Sequence, residues 1–164
     1  MDMLYLLRHG IAVPHGSPEF EDDDRPLTPR GRRRARQVAF GLEVLKIKPD
    51  RIVTSPLPRA RQTAEIVADV LKMPELLEAD EALRAGVETA SVVDWVRSRS
   101  EESLMVVGHN PWISELVERL TAGSSSGAFV ELRKAGMAAL GARPDGQFSL
   151  EWLAKPKMLR KLGE

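Results

Sequence analysis

An α/β fold, with helices on both faces of a mostly parallel sheet, is what this 164-residue sequence predicts. Three observations carry that expectation. Short apolar runs of strand length alternate with segments whose apolar residues recur at helical spacing. Three of those runs end in polar residues that lead into a loop or a capped helix, as in open sheets that bind ligands beyond the carboxyl ends of their strands. No internal repeat or linker divides the chain, so one three-layer domain over residues 1–164 is expected, a length that suffices for a proper core.

The elements follow in order. Met3 to Leu7 reads as a short buried strand, closing in "LYLLRHG" with Arg8, His9 and Gly10. "IAVPHGSPEFEDDDRPL" then has three prolines and two acidic clusters and reads as a long loop, a kind of segment that is often functional in compact domains. Thr28-Pro29 has the form of an N-cap followed by proline at the first helical position. Ala35, Val38, Ala39, Leu42 and Leu45 give the helix it starts one apolar face. Pro49-Asp50 turns into the strand "RIVTS". After Pro56 and Pro58, "RARQTAEIVADVLK" sets Ala60, Ala64, Val67 and Leu71 on one helical face. Glu75 to Glu88 is acidic and less regular. "TASVVDWVRSRS" reads as a third helix and "SLMVVGH" as a third buried strand. Asn110-Pro111 repeats the cap-plus-proline start before "WISELVERLTAG", which Gly123 closes. "GMAALGA" and "QFSLEWLA" on either side of "RPDG" form a hairpin pattern.

Composition narrows the function. Lysines plus arginines number 24, as do aspartates plus glutamates, so no overall field draws the protein to nucleic acid or to an anionic membrane. Any anion site must be local. The absence of cysteine excludes disulfides, thiolate metal sites and a cysteine nucleophile, and fits a reducing compartment. The apolar patch in "MDMLYLLRHG" is too short for a secretory signal, and no apolar run approaches membrane-spanning length, so a cytoplasmic protein is expected.

If the three strand ends share one edge, Arg8, His9, Ser55, Arg59 and His109 converge on a single crevice. Two guanidinium forks and two imidazoles there make a compact site for a phosphate-like anion, and a helix starting near Asn110 adds its positive end. Taken singly, each residue has a plainer reading: a structural histidine, a surface arginine, a serine that ends a strand. Their shared position sets them apart, because two of the three histidines fall at strand ends beside glycine. His15, in the proline-rich loop, reads equally well as an exposed side chain. No G-x-x-x-x-G-K-[ST] stretch supports a P-loop enzyme. "EDDD" at 21–24 has no histidine among its carboxylates and reads as a solvated acidic turn rather than a metal site. A histidine mechanism without metal or cofactor remains.

"RHG" at 8–10, "SPLPRARQTA" at 55–64 and "GH" at 108–109, in this order, resemble the histidine phosphatase superfamily, which includes phosphoglycerate mutases and acid phosphatases. The short length, "DRPLTPRGRRRA" at 24–35 and "FSLEWLAKPKML" near the end look most like SixA-type phosphohistidine phosphatases. The resemblance implies a phosphoglycerate-mutase-like fold and a metal-independent hydrolase of phosphoric monoesters or phosphoramidates. It implies His9 as the nucleophile, with Arg8, Arg59 and His109 on the phosphoryl oxygens, Ser55 orienting the pocket and Asn110 beside the substrate. The implied substrate is phosphohistidine on a protein, such as a His-phosphotransfer-type domain in phosphorelay signalling. A small phosphate ester and a non-catalytic phosphoprotein-binding role are the alternatives, and a monomer is favoured.

Two departures stand out. Ile11 and His15 occupy places where many mutases and esterases of the superfamily have an acidic residue and an asparagine. The usual carboxylate general acid has no clear counterpart, Asp80 and Glu81 being the nearest candidates and equally readable as surface charges. Without such an acid, a phosphoramidate, whose basic nitrogen is readily protonated, is favoured over an ester. "RGRRRAR" at 30–36 reads either as an exposed helix face or as a docking patch for an acidic partner.

Overall fold

The computed structural model describes residues 1–125 and 129–164. Among them, six strands form one sheet in the order β3-β2-β4-β1-β5-β6. The strands are β1 (Met3–Arg8), β2 (Arg51–Thr54), β3 (Leu77–Ala79), β4 (Ser103–Gly108), β5 (Met137–Ala142) and β6 (Phe148–Ala154). β1 pairs parallel with β4, and β4 and β3 each pair parallel with β2; β5 and β6 close the other side antiparallel. Five α-helices accompany them: α1 (Pro29–Val44), α2 (Pro58–Val70), α3 (Thr89–Arg97), α4 (Trp112–Ala122) and α5 (Pro156–Leu162).

The strands are apolar on both sides because both faces of the sheet are covered. Their two-residue period sorts them between two cores. Tyr5, Leu7, Ile52, Met105 and Val107 face α1, α2 and α5, whose Val38, Leu42, Val67 and Leu159 complete that layer. Leu4, Leu6, Val53, Leu104 and Val106 face α3 and α4, meeting Val92, Val96, Ile113 and Leu116. The register of β1 is set by its ends. Arg8 lies opposite Gly108, and a slip toward β4's interior would draw a guanidinium into a dry core at a cost of several kcal/mol. That register puts His9 next to the residue that follows Gly108.

Most predicted elements are present. Thr28 caps α1, its hydroxyl accepting from Gly31 N–H at 2.9 Å with Pro29 in the first turn. Gly123, at φ 80°, ends α4. Four details differ from the sequence reading. α4 begins at Trp112 with Pro111 at the cap position and no side-chain cap, so Asn110 does not cap it; the Asn110-Pro111 bond is cis. α2 starts at Pro58 rather than after it. The short β3 crosses the acidic stretch, which has too few apolar residues to announce a strand. α5 follows the hairpin; it is seven residues long with one buried side chain, Leu159, too little for a visible helical period. Among the described residues, no helix is long and apolar enough to cross a membrane.

Candidate active site

The parallel strands β1, β2 and β4 end at one edge, and tight packing holds the residues there. Arg8 N–H donates to Gly136 O at 3.1 Å and His9 N–H to Gly108 O at 3.0 Å. Ala135 N–H lies 3.0 Å from both Arg8 O and His9 O. Two glycines allow the close approaches. A Cβ on Gly31 would stand 2.0 Å from Ile11 O, where the start of α1 presses on the chain beyond "RHG". One on Gly108 would stand 2.2 Å from the buried Trp112 indole. The site therefore rests on rigid backbone.

The structure brings Arg8, His9, Arg59, His109 and Asn110 together around a cavity of about 360 Å³. His9, Arg59 and His109 are 6%, 3% and 2% exposed. The His9 and His109 ring centroids are 5.3 Å apart, with the rings tilted. His9 Nδ1 is 2.7 Å from Gly10 O; a carbonyl can only accept, so Nδ1 carries the proton and Nε2 keeps its lone pair. Gly10 is itself held, its N–H donating to Thr63 Oγ1 at 2.9 Å, while the Thr63 hydroxyl donates to Arg59 O at 2.7 Å. Thr63 thus ties α2 to the histidine loop. Its sequence signal is a polar residue on α2's apolar face, one turn after Arg59.

Ser55 is fully buried and does not border the cavity directly; it supports His109 from behind. Its Oγ accepts from Leu57 N–H at 3.2 Å and lies 2.7 Å from His109 Nε2. When Ser55 donates to Nε2, the His109 proton sits on Nδ1. His109 Nδ1, Arg8 Nε and Arg59 Nε are all buried without a hydrogen-bond partner. They are three of the five such side-chain atoms found among the described residues, so the unmet polar demand concentrates where an anion would sit. The remaining capacity is spent on the walls: Arg8 Nη1 donates to Leu132 O at 2.9 Å and Arg59 Nη1 to Asp22 O at 3.2 Å. Asn110 borders the cavity, but its carboxamide is engaged, donating to Leu132 O at 3.2 Å and accepting from the Ser114 hydroxyl at 2.5 Å.

Burial sets the electrostatics. Desolvation first, then Arg59, Arg8 and Lys134, push the His9 pKa down to about 3, against an opposing pull from the Gly10 carbonyl. Desolvation, with His9, Arg59 and Arg8 after it, takes His109 down to about 2. Both imidazoles are therefore neutral at ordinary pH, and burial also lowers both guanidinium pKa values. An arginine keeps its charge at ordinary pH all the same. The cavity is a ring of positive charge with a neutral nucleophilic nitrogen inside it.

This arrangement has a consequence for stability. An unfolded histidine takes up a proton near pH 6.5, whereas the folded His9 resists until about pH 3. The stability is therefore complete above pH 6.5 and is lost as pH falls, by up to about 1.4 kcal/mol per pH unit for each such histidine. The thermal midpoint should drop between pH 7 and pH 5, before carboxylates titrate, and millimolar phosphate should blunt the drop by favouring the charged rings. A flat midpoint over that interval would contradict the assignment.

Three residues at the mouth were not singled out by sequence as site residues: Asp22, Arg25 and Lys134. Arg25 Nε donates to Asp22 Oδ1 at 2.7 Å and its Nη1 to Val13 O at 2.8 Å, which folds the acidic turn of residues 22–24 onto the rim. Asp23 reaches Arg84 at 2.9 Å. The acidic turn is thus bound in place by arginines rather than simply solvated. His15 is exposed yet lines the cavity, with Nδ1 against the Asp22 carboxylate. Asp80 and Glu81 are not brought to the cavity. Asp80 accepts from Trp95 Nε1 and Ala82 N–H, each at 2.9 Å, and Glu81 pairs with Arg84 at 3.1 Å. Among the described residues, no group of three or more His, Asp and Glu side chains is placed to hold a metal ion.

Comparison with known proteins adds to this geometry. The family model described as histidine phosphatase superfamily (branch 1) matches residues 4–87. The phosphohistidine phosphatase SixA of Escherichia coli is 28% identical over 160 residues, 96% of each chain. A solved structure of the protein histidine phosphatase SixA complexed with tungstate superposes with a TM-score of 0.81 at 26% identity, covering 96% of this chain and 99% of that one. A phosphoserine phosphatase from Entamoeba histolytica, solved in complex with 3-phosphoglyceric acid, shares the fold with a TM-score of 0.72 at 19% identity, over 97% of this chain and all of the other.

Proposed function

The chain belongs to the histidine phosphatase superfamily, and from that premise we propose that it removes phosphate from phosphohistidine on a partner protein through a phospho-His9 intermediate. One observation supports this above all: His9, with Nδ1 closed by Gly10 O and Nε2 left neutral, shares a cavity with Arg8, Arg59 and His109, each of which has an unpartnered buried nitrogen. Nε2 attacks phosphorus in line with the departing group. The bond to the leaving group breaks as the phosphorus–nitrogen bond to His9 forms, and the three donors hold the charge on the equatorial oxygens. Water then attacks phospho-His9 from the same side, releasing phosphate and restoring the imidazole. Ser55 keeps the His109 ring in place.

The preference for phosphohistidine rests on proton supply. Asp80 and Glu81 are remote, and Asp22, bonded to His15 and Arg25, has its carboxyl held below the usual carboxylate range. Among the described residues that border the cavity, no protonated carboxylic acid is placed to serve an alkoxide, whereas a phosphoramidate nitrogen is basic enough to leave with less help. The likeness to SixA points the same way, and cytoplasmic phosphorelay signalling is the setting we propose. A second reading, hydrolysis of a small phosphorylated carboxylic acid, draws on Lys134, which lines the cavity and whose charge acts on His9, and on the fold neighbour solved with 3-phosphoglyceric acid.

The two readings separate in one assay. Phosphoryl release from a phosphorylated His-phosphotransfer domain is expected to exceed that from phosphoserine and 3-phosphoglycerate by about 10²-fold in kcat/KM, because a protonated imidazole departs more readily than an alcohol whichever group supplies the proton. A clear preference for either ester would overturn the first reading. In the same assay Arg32→Glu, Arg33→Glu and Arg34→Glu together, on the outer face of α1, should raise KM for the phosphoprotein if α1 docks it. Unchanged kinetics would exclude docking there.

A further inference from the structure

A carboxylate–imidazole pair stands at the mouth of the cavity, and nothing in the chemistry above uses it. His15 lines the cavity and is largely exposed, with Nδ1 hydrogen-bonded to Asp22. Asp22 is bound from three directions: Arg25 Nε and His15 Nδ1 on its carboxylate, and Arg59 Nη1 on its backbone carbonyl. The imidazole is therefore tethered to a turn that is itself tethered to the phosphate cradle. With Nδ1 committed to Asp22, Nε2 is the free nitrogen of the ring.

We propose that His15, oriented by Asp22, is the proton donor to the leaving group and the base for the attacking water. The proposal rests on the reading of His9 as nucleophile. In the first step His9 Nε2 bonds to phosphorus, the bond to the leaving atom breaks, and that atom takes the proton from His15 Nε2. In the second, His15 accepts a proton from the water as its oxygen bonds to phosphorus and the bond to His9 breaks. Protons balance over the cycle, with no metal or co-reactant.

Elimination supports the assignment. The charged and titratable groups that border the cavity are Arg8 and His9 from the end of β1, Asp22 and Arg25 from the acidic turn, and His15 itself. Facing them are Arg59 from α2, His109 from the end of β4 and Lys134 from the segment before β5. Arginine does not donate at ordinary pH, and a lysine ammonium gives up its proton reluctantly. His9 and His109 are neutral and occupied with phosphorus and its oxygens, and Asp22 is ionised. Imidazole is the side chain suited to exchange protons near neutral pH, and a carboxylate on its other nitrogen fixes the ring's orientation. An imidazolium also matches in acidity the imidazole that departs from phosphohistidine.

The test is a leaving-group series on the full-length protein: p-nitrophenyl phosphate, which needs no acid, against phenyl phosphate, which does. His15→Gln is expected to leave kcat/KM for the first within about threefold and lower it for the second by about 10²-fold, an acid's ordinary contribution. It should also abolish the fall in rate at high pH that a protonated donor imposes on phenyl phosphate. Asp22→Asn, which keeps the imidazole, should fall between. Equal loss on both substrates, or loss on neither, would overturn the proposal. His9→Ala separates the premise: it should silence every substrate, so a flat His15→Gln profile beside an inactive His9→Ala defeats only the proton donor.

Discussion

Alanine at position 9 is expected to lower phosphatase turnover by about 10⁴-fold or more, the scale on which enzymes lose rate when a covalent nucleophile is removed. The fold should survive. His9 sits just beyond the end of β1 and lines the cavity. The backbone contacts that hold it, from His9 N–H to Gly108 O and from Ala135 N–H to His9 O, do not involve the side chain. Brief exposure of the wild type to a phosphorylated substrate should leave acid-labile, base-stable phosphate on the protein, and the variant should carry none. Retention of more than a tenth of the wild-type rate, or label on the variant, would remove His9 from the mechanism.

Arg59→Ala should cost about 10²–10³-fold in kcat/KM, the usual loss when one donor to a transition-state oxygen is removed. Arg59 earns that weight by its position. Its side chain is almost wholly buried and lines the cavity, with Nε unpartnered and Nη1 spent on Asp22 O, so it borders the cavity and anchors the rim. Arg59→Lys should recover only part of the loss, because an ammonium cannot present the planar fork. Arg59 also helps to depress both histidines, so its removal should raise their pKa values and soften the acid destabilisation. A loss below tenfold, with acid sensitivity unchanged, would show that Arg59 does not face the phosphoryl group.

The legible part of this protein was written in local patterns. The run Leu4–Leu7 between Asp2 and Arg8 specifies a strand buried on both faces, with its charges at the ends. Thr28-Pro29 announced α1 by the same hydrogen bond that is present in the structure. The four residues Arg8, His9, Arg59 and His109 were identifiable because each follows or flanks a strand end, and parallel strands bring such ends to one edge. What was not legible has little local signal. α5 contributes one buried leucine, and β3 spans three residues. Asn110, read as a helix cap, borders the cavity and donates to Leu132 O, a partner 22 residues away. Asp80 and Glu81 were candidates only by proximity in sequence, and the chain spends them on Trp95 and Arg84.

Sequence by itself determined most of the strands, the two-sided core and which residues stand at the strand ends, because strand length, two-residue and helical periods and capping residues act between near neighbours in the chain. Tertiary structure alone decided how the cradle is electrically set: that His9 Nδ1 is closed by Gly10, that Ser55 stands behind His109, and that burial keeps both rings neutral. It also decided that Asp22, Arg25 and Lys134 reach the mouth, and that His15 meets a carboxylate there. These depend on desolvation and on contacts between groups brought together by folding, and neither has a signature in the spacing of residues along the chain.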